Sequence, residues 1–266
     1  MKVLIVLAHP EPKSLTTALF NVTVDELEKL GHEVKTTDLY ALNWKSAIDG
    51  ADFPEFHQDK ERLVITNESG KAYHEHKLTK DVLEEQAKLE WADMLILQFP
   101  LWWFTMPAIL KGWVDRVFSF GLGYGVGYSA EKPHGTRYGE GSFKGKRAML
   151  SVTIGGPASN YKEMGVNGDI FHILWPINHG VLFYPGFDVL EPFTVYRTNK
   201  FTEEDFEKAS KELRERLKHL ETEKPIPFRS QNGGDYDLHS LELKPDVISP
   251  EEKGLGLRIH LKEQSN

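Results

Sequence analysis

The chain has 266 residues, 40% hydrophobic and 27% charged, the balance of a globular protein with a sizeable core rather than a disordered or fibrous one. Its formal net charge of −8 argues against nucleic acid as a partner, because a phosphate-backbone binder draws its affinity from a positive surface. The absence of cysteine excludes disulfides, thiolate metal sites, iron–sulfur clusters and cysteine nucleophiles, and fits a reducing cytosol.

Val3 to Ala8 is a continuous apolar run, the pattern of a central strand buried on both faces. Ser14 is placed to cap a helix carrying Leu15, Leu19, Val22, Leu27 and Leu30, and Gly31 is placed to end it. A strand over 33–38 follows. Residues 43–78 show no sustained period and read as a long connection with local turns. A second helix over 79–91 feeds an apolar strand over 94–99. Pro107 opens a third helix whose buried face is Ile109, Leu110, Trp113, Val114 and Val117. Eight glycines between Gly121 and Gly145 describe a mobile loop. Strands over 147–153 and 186–192 follow, then a helix announced by Thr202 and Asp205 as a capping box. Strands alternating with helices imply an α/β fold built on a doubly wound, parallel, five-stranded sheet, whose ligand site lies beyond the carboxyl ends of the strands. That periodicity stops near Pro225. The expected organisation is a catalytic domain over 1–224 and an extension over 225–266 that packs near the active site or a partner subunit.

No stretch reads as a membrane span. The most apolar one, Met94 to Leu110, contains Gln98, Pro100, Thr105 and Pro107, and the N-terminal run is too short for a signal-peptide core. A cytoplasmic location is expected.

Three segments fall at predicted strand ends. In the first, His9 to Thr17, hydroxyls of Ser14, Thr16 and Thr17 at a helix N-terminus could hold a phosphate; taken alone, the segment favours the plainer reading, in which Ser14 is only a cap and His9 a loop histidine. The second contains Trp102, Trp103 and Phe104, which cannot all enter one core, so they either line a cavity for a planar ring or plug an interface. The third, Thr153 to Tyr161, offers the amides of Gly155 and Gly156 to an oxygen and the phenol of Tyr161 as a proton donor. Histidines 74, 76, 172 and 179 read as surface or interface residues.

Together, VLAHPEPKS, QFPLWWFTMPAILKGWVDRVF, TIGG with the following tyrosine and GVNGD, and ILWPINHGVLFYPGF in this order resemble the NAD(P)H:quinone oxidoreductase family of flavodoxin-like flavoproteins, the DT-diaphorase type. The resemblance runs from Val3 to about Leu220, and GLGLRIH in the tail is similar to the longer branch of that family. It implies a homodimer with FAD, rather than FMN, at a subunit interface, NAD(P)H as donor and a quinone as acceptor, the two using one pocket in turn in a ping-pong cycle. By position, His9, Ser14 and Thr16 would contact the flavin's phosphate side. Pro100, Leu101, Trp102, Trp103 and Phe104 would hold its ring system, and Thr153, Ile154, Gly155 and Gly156 its polar edge. Tyr161 matches the family tyrosine beside the flavin and, with Asn167, would be catalytic. Tyr124 and Tyr184 would line the acceptor pocket, with Trp103 and Phe104 as another wall. The chain departs from the pattern at Thr16, commonly Asn, at Trp102, commonly Gln, and at Asn167, where many members have histidine. His179 matches a metal ligand of the shorter branch, but Phe183 replaces another, so no metal is expected. Alternative roles are a flavin-binding ancillary subunit of a membrane transporter, or azo and nitroaromatic reduction on the same site.

Overall fold

A computed structural model describes residues 1–57, 62–249 and 256–262. Strand β1 (Lys2–Leu7) leads through helix α1 (Leu15–Lys29) to β2 (Glu33–Asp38). Helices α2 (Ile65–His74) and α3 (Lys80–Trp91) precede β3 (Met94–Pro100), and α4 (Ala108–Val117) precedes β4 (Arg147–Thr153). After α5 (Ile170–Trp175), the chain continues as a π-helical segment over Pro176–Phe183 into β5 (Asp188–Val189), β6 (Phe193–Val195) and α6 (Glu203–Leu217).

The strands are all parallel, in the order β2-β1-β3-β4-β5, with β6 also paired to β4. This is the flavodoxin-like order, and it places a switch point between β1 and β3. Alternation along each strand divides the core in two. Val3, Ile5, Ile96 and Met149 meet Leu19 and Leu27 of α1 and Leu213 of α6, whereas Leu4, Val6, Leu97 and Leu150 meet Val82 of α3 and Trp113 of α4. The caps act as the sequence implied: Ser14 accepts from the Thr17 amide, Thr202 and Asp205 form a reciprocal box, and Gly31 leaves α1 at φ +82°.

Four expectations need correction. The 43–78 connection contains α2, which buries Glu68, Ser69, Gly70 and Ala72 and so shows no apolar stripe. The anticipated fifth strand is two short pieces separated by residues 190–192, and the second piece ends at Val195. The 121–145 loop is a pinned structure. Six of its eight glycines adopt positive φ, Phe143 is buried, and the amides of Tyr138, Gly139 and Phe143 donate to the carbonyls of Tyr184, Phe183 and Pro185. His179 is not a free surface side chain: its ring stacks between Trp175 and Tyr138 and faces a cavity.

The tail is not detached from the core. Ile226 donates to the Val189 carbonyl, and Phe228 is buried against the rings of Trp175, His179 and Phe183. Gly254 and Leu255 of the GLGLRIH segment lie outside the described residues. Among the described residues, no helix is long and apolar enough to cross a membrane, and no group of three or more His, Asp or Glu side chains is arranged to hold a metal ion.

Candidate active site

At the carboxyl edge of the sheet, a cleft of about 290 Å³ is lined by His9, Ser14, Leu15 and Thr16 after β1, by Pro100 to Trp102 after β3, by Thr153 and Gly155 after β4, and by Thr198 and Asn199 after β6. Eight of the residues expected at the site thus line one cleft. Its location follows from topology, since adjacent parallel strands here lead their chains in opposite directions across the sheet.

The phosphate-side segment is organised by hydrogen bonds. Ser14 Oγ accepts from the Thr17 amide at 3.1 Å, and no acidic residue occupies the first turn of α1, so the positive end of its dipole is not quenched there. Thr16 and Thr153 hydroxyls meet at 2.7 Å, tying α1 to β4 across the floor of the cleft. His9 Nδ1 accepts from the Glu11 amide at 3.0 Å, which requires that nitrogen to be unprotonated. Burial pushes its imidazole below the ordinary value, so the neutral ring carries its proton on Nε2.

The aromatic segment has an unusual backbone. Trp102 and Thr105 exchange both amide bonds at 3.0 Å, and the two residues between them, Trp103 and Phe104, have φ of +49° and +61°. This is a type I′ turn, which favours Asn and Gly and disfavours bulky side chains. The strain directs all three aromatics away from the core: Trp102 is 40% exposed, Trp103 94% and Phe104 51%. Trp102 lies 5.9 Å from the His9 ring.

Gly155 and Gly156 form a close cradle. A Cβ on Gly155 would sit 3.1 Å from the Asn199 side chain, and one on Gly156 would sit 3.1 Å from the Tyr161 ring. The Arg197 amide donates to the Gly156 carbonyl at 2.9 Å, so the turn after β6 braces this cradle. Ile154 is held by the Val195 carbonyl and the Thr198 amide and buries its side chain in the core. Tyr161 is half-buried beside Tyr196, at 5.8 Å between centroids. Asn167 stands in a turn closed by its own amide on the Asn160 carbonyl, ahead of Gly168 at φ +80°. No hydrogen bond joins it to Tyr161. Tyr124 packs edge-on to Phe120, Tyr184 packs edge-on to Tyr138, and neither lines the cleft.

A family profile described as the flavodoxin-like fold matches residues 1–219. The chain is 52% identical over 257 residues to a ribosyldihydronicotinamide dehydrogenase-like protein of Penicillium crustosum, covering 97% of this chain and 95% of that one. It is 38% identical over 264 residues to NAD(P)H dehydrogenase (quinone) 1 of Rattus norvegicus, covering 98% and 93%. A solved structure from Klebsiella pneumoniae, provisionally named a quinone reductase, matches with TM-score 0.94 at 49% identity, covering 98% of this chain and 100% of that one. The chain belongs to the NAD(P)H:quinone oxidoreductase family of flavodoxin-like proteins.

Within this family member, Leu15, Thr198 and Asn199 are cleft residues that sequence reasoning missed. The signal for the last two was the strand-end rule itself. Ending the fifth strand at Pro192 moved residues 198 and 199 away from the carboxyl edge, whereas the continuation to Val195 brings them to it.

Proposed function

We propose that the protein is a flavin-dependent NAD(P)H:quinone oxidoreductase, that its flavin is FAD, and that it works as a homodimer. The observation that carries the reading is the one cleft that joins an unquenched helix N-terminus, Gly155, and Trp102 at the foot of a strained aromatic turn. These residues fit a flavin: glycine at 155 and 156 lets the Asn199 and Tyr161 side chains close against the backbone at the cleft, and Trp102 offers a ring face beside Gly155. A bound flavin would supply the two-electron chemistry, accepting hydride from a reduced nicotinamide and passing it to a quinone.

The chain's own residues have separable tasks. Ser14, Thr16 and the free amides opening α1 hold phosphate, with His9 Nε2–H as a further donor whose direction is fixed by Glu11. Pro100, Leu101 and Trp102 would hold the ring system of a bound flavin, and Trp103 and Phe104, on the adjoining turn, would help to keep water from it. Tyr161 Oη stands 3.4 Å from the point a Gly156 Cβ would occupy, and its proton could be donated toward an oxygen that gains negative charge. Asn167 contributes a fixed dipole where a histidine would contribute a mobile proton. Donor and acceptor use one pocket in turn, and the cytoplasm is the matching compartment.

The dimer is supported by Trp103, Phe104, Met164 and Val166. All four expose most or about half of their apolar surface, on loops that follow β3 and β4. A second copy covering that face would bring Tyr124 and Tyr184 to the cleft they do not reach within one chain. Purified protein should be yellow, release FAD on denaturation, sediment as a dimer and oxidise NAD(P)H with a quinone. Colourless protein that neither FAD nor FMN reconstitutes would overturn the reading.

A further inference from the structure

A second cavity, of about 350 Å³, shares no residue with the cleft. It lies among the glycine-rich connection, the π-helical segment and the tail, and its walls are two stacks of rings. In one, His179 is parallel to Trp175 at 4.5 Å and to Tyr138 at 4.8 Å; in the other, Tyr236 is parallel to His260 at 6.0 Å. Spacing of this kind leaves flat apolar surface on which a further planar ring can lie.

The charges around the cavity do not balance. Arg229 is buried, but its guanidinium is paired with Asp235 at 3.0 Å and donates to the Ile259 carbonyl. Arg137 has no such partner. Its Nε donates to Gln231 Oε1 at 2.9 Å, and Gln231, itself buried, is fixed by its own amide on the Gly135 carbonyl. The guanidinium carbon stands 5.7 Å from the centre of the Tyr184 ring. Among the described residues, Arg137 forms no ion pair, and its terminal nitrogens make no hydrogen bond. The two histidines add no charge at neutral pH, since burial lowers both, His179 to about 4. One uncompensated positive charge therefore faces an aromatic cavity. In addition, His179 Nε2 is buried without a hydrogen-bond partner, a second polar atom left over by the protein.

We propose that this cavity is a second ligand site, separate from the cleft, and that it takes a one- or two-ring aromatic monocarboxylate. The carboxylate would meet the free edge of Arg137, a geometry that a planar guanidinium supports with two parallel hydrogen bonds. The ring would lie between the two stacks. A neutral aromatic would leave Arg137 uncompensated, whereas a ligand with two negative charges would exceed the single positive charge available.

The probe is 1-naphthoate, with the neutral 1-naphthamide as its control, titrated by calorimetry into the flavin-loaded native protein. One naphthoate per chain is expected, binding at least 10-fold tighter than naphthamide. Arg137→Gln should remove that preference. Leu257→Trp, which fills the cavity from the tail, should weaken naphthoate at least 10-fold while leaving the quinone KM unchanged. Absence of saturable binding to the native protein would overturn the proposal, as would a preference that survives Arg137→Gln. Competition of naphthoate with NADH or with 2-methyl-1,4-naphthoquinone would also overturn it, because the cavity would then belong to the donor or acceptor pocket. The calorimetric result stands whether or not the protein reduces quinones, so failure of this proposal is distinguishable from failure of the functional one.

Discussion

Replacing Trp103 separates the stability of the chain from the function of its aromatic turn. Trp103 holds φ +49° and is 94% exposed, so in one chain it is strained and buries almost nothing. A left-handed conformation costs a non-glycine residue roughly 1–2 kcal/mol, and glycine returns about 0.5–1 kcal/mol of that through the greater entropy of its unfolded state. Trp103→Gly should therefore stabilise the flavin-free protein by about 0.5–1 kcal/mol. For a chain of this size, that raises Tm by roughly 1–4 °C. Trp103→Ala removes the same side chain but keeps the strain, and should be less stable than the glycine variant by about 1 kcal/mol. Flavin affinity should move the other way. Losing one ring face, on the order of 60–100 Å² of contact, at about 25 cal/mol per Å² amounts to about 1.5–2.5 kcal/mol, or roughly 10- to 60-fold in Kd. Equilibrium unfolding of the flavin-free protein over a dilution series, with flavin fluorescence titration, measures both terms and separates subunit dissociation from unfolding. A glycine variant that is destabilised independently of concentration, with unaltered flavin affinity, would show that Trp103 supports the fold and not the site.

Tyr161→Phe should keep the flavin but slow its reduction on the order of 10-fold or more, because it removes a donor to developing charge; an unchanged stopped-flow rate would reduce Tyr161 to packing. Flavin reduction in the native protein should vary little between pH 5 and 8, whereas Asn167→His should introduce a titration in that window; a folded, flavin-bound variant with a flat profile would leave Asn167 as a turn residue only. His179 should make the fold acid-sensitive. Its folded pKa of about 4 lies below its unfolded value of about 6.5, so the stability it contributes is complete above pH 6.5 and is lost as pH falls toward 4. The loss is at most roughly 3 kcal/mol, reduced by the part of the ring that stays solvated, and His179→Phe should flatten this part of the urea-unfolding profile. Ending the chain after Lys224 removes Ile226 and Phe228 from the core, which should cost about 3–6 kcal/mol, whereas ending it after Gln231 should spare that amount; equal Tm values for the two truncations would refute this reading of the tail.

The parts of the fold that were legible in the sequence are those in which one short segment decides its own structure. Val3–Ala8 is apolar throughout, and Met94–Phe99 and Arg147–Thr153 mostly so, because both of their faces are covered, and Ser14, Gly31 and the Thr202–Asp205 box mark helix ends by local chemistry. Helix α2 was illegible because it is held through small and polar positions. Gly70 lies against the Phe120 ring, where a Cβ would come within 2.8 Å, and that contact cannot be read from Ile65–His74 alone. The glycines of 121–145 were visible but ambiguous, since the same residue serves a mobile loop and a pinned one. What decides between them is the set of carbonyls at Phe183, Tyr184 and Pro185, which come from a distant segment. The cavity in the tail had no sequence signal for a similar reason: Arg137, His179 and Tyr236 come from three segments separated by long stretches of chain.

The locations where local rules are broken identify function better than concavity does. A groove between α1 and α6 is also open, but it is lined by ordinary helix surface, and its Arg214–Glu26 pair at 2.7 Å balances charge within it. No groove residue adopts a left-handed backbone, and the one buried side-chain atom without a hydrogen bond among its described residues is the uncharged Ser210 hydroxyl, so the groove is explained by the packing of two amphipathic helices. The cleft and the second cavity differ from it in kind. At the cleft, a tryptophan and a phenylalanine occupy a turn that asparagine and glycine would fill more stably. At the cavity, a half-buried guanidinium has no ion-pair partner among the described residues, and a buried imidazole nitrogen has no hydrogen bond. Each departure costs stability in the isolated chain, and each would be offset by a ligand with complementary shape or charge. This asymmetry leads to one comparison across the molecule: adding FAD should raise Tm with the logarithm of its concentration over its Kd for the cleft, naphthoate should add a further and independent increment, and substitutions in the α1–α6 groove such as Ser210→Ala should alter neither increment.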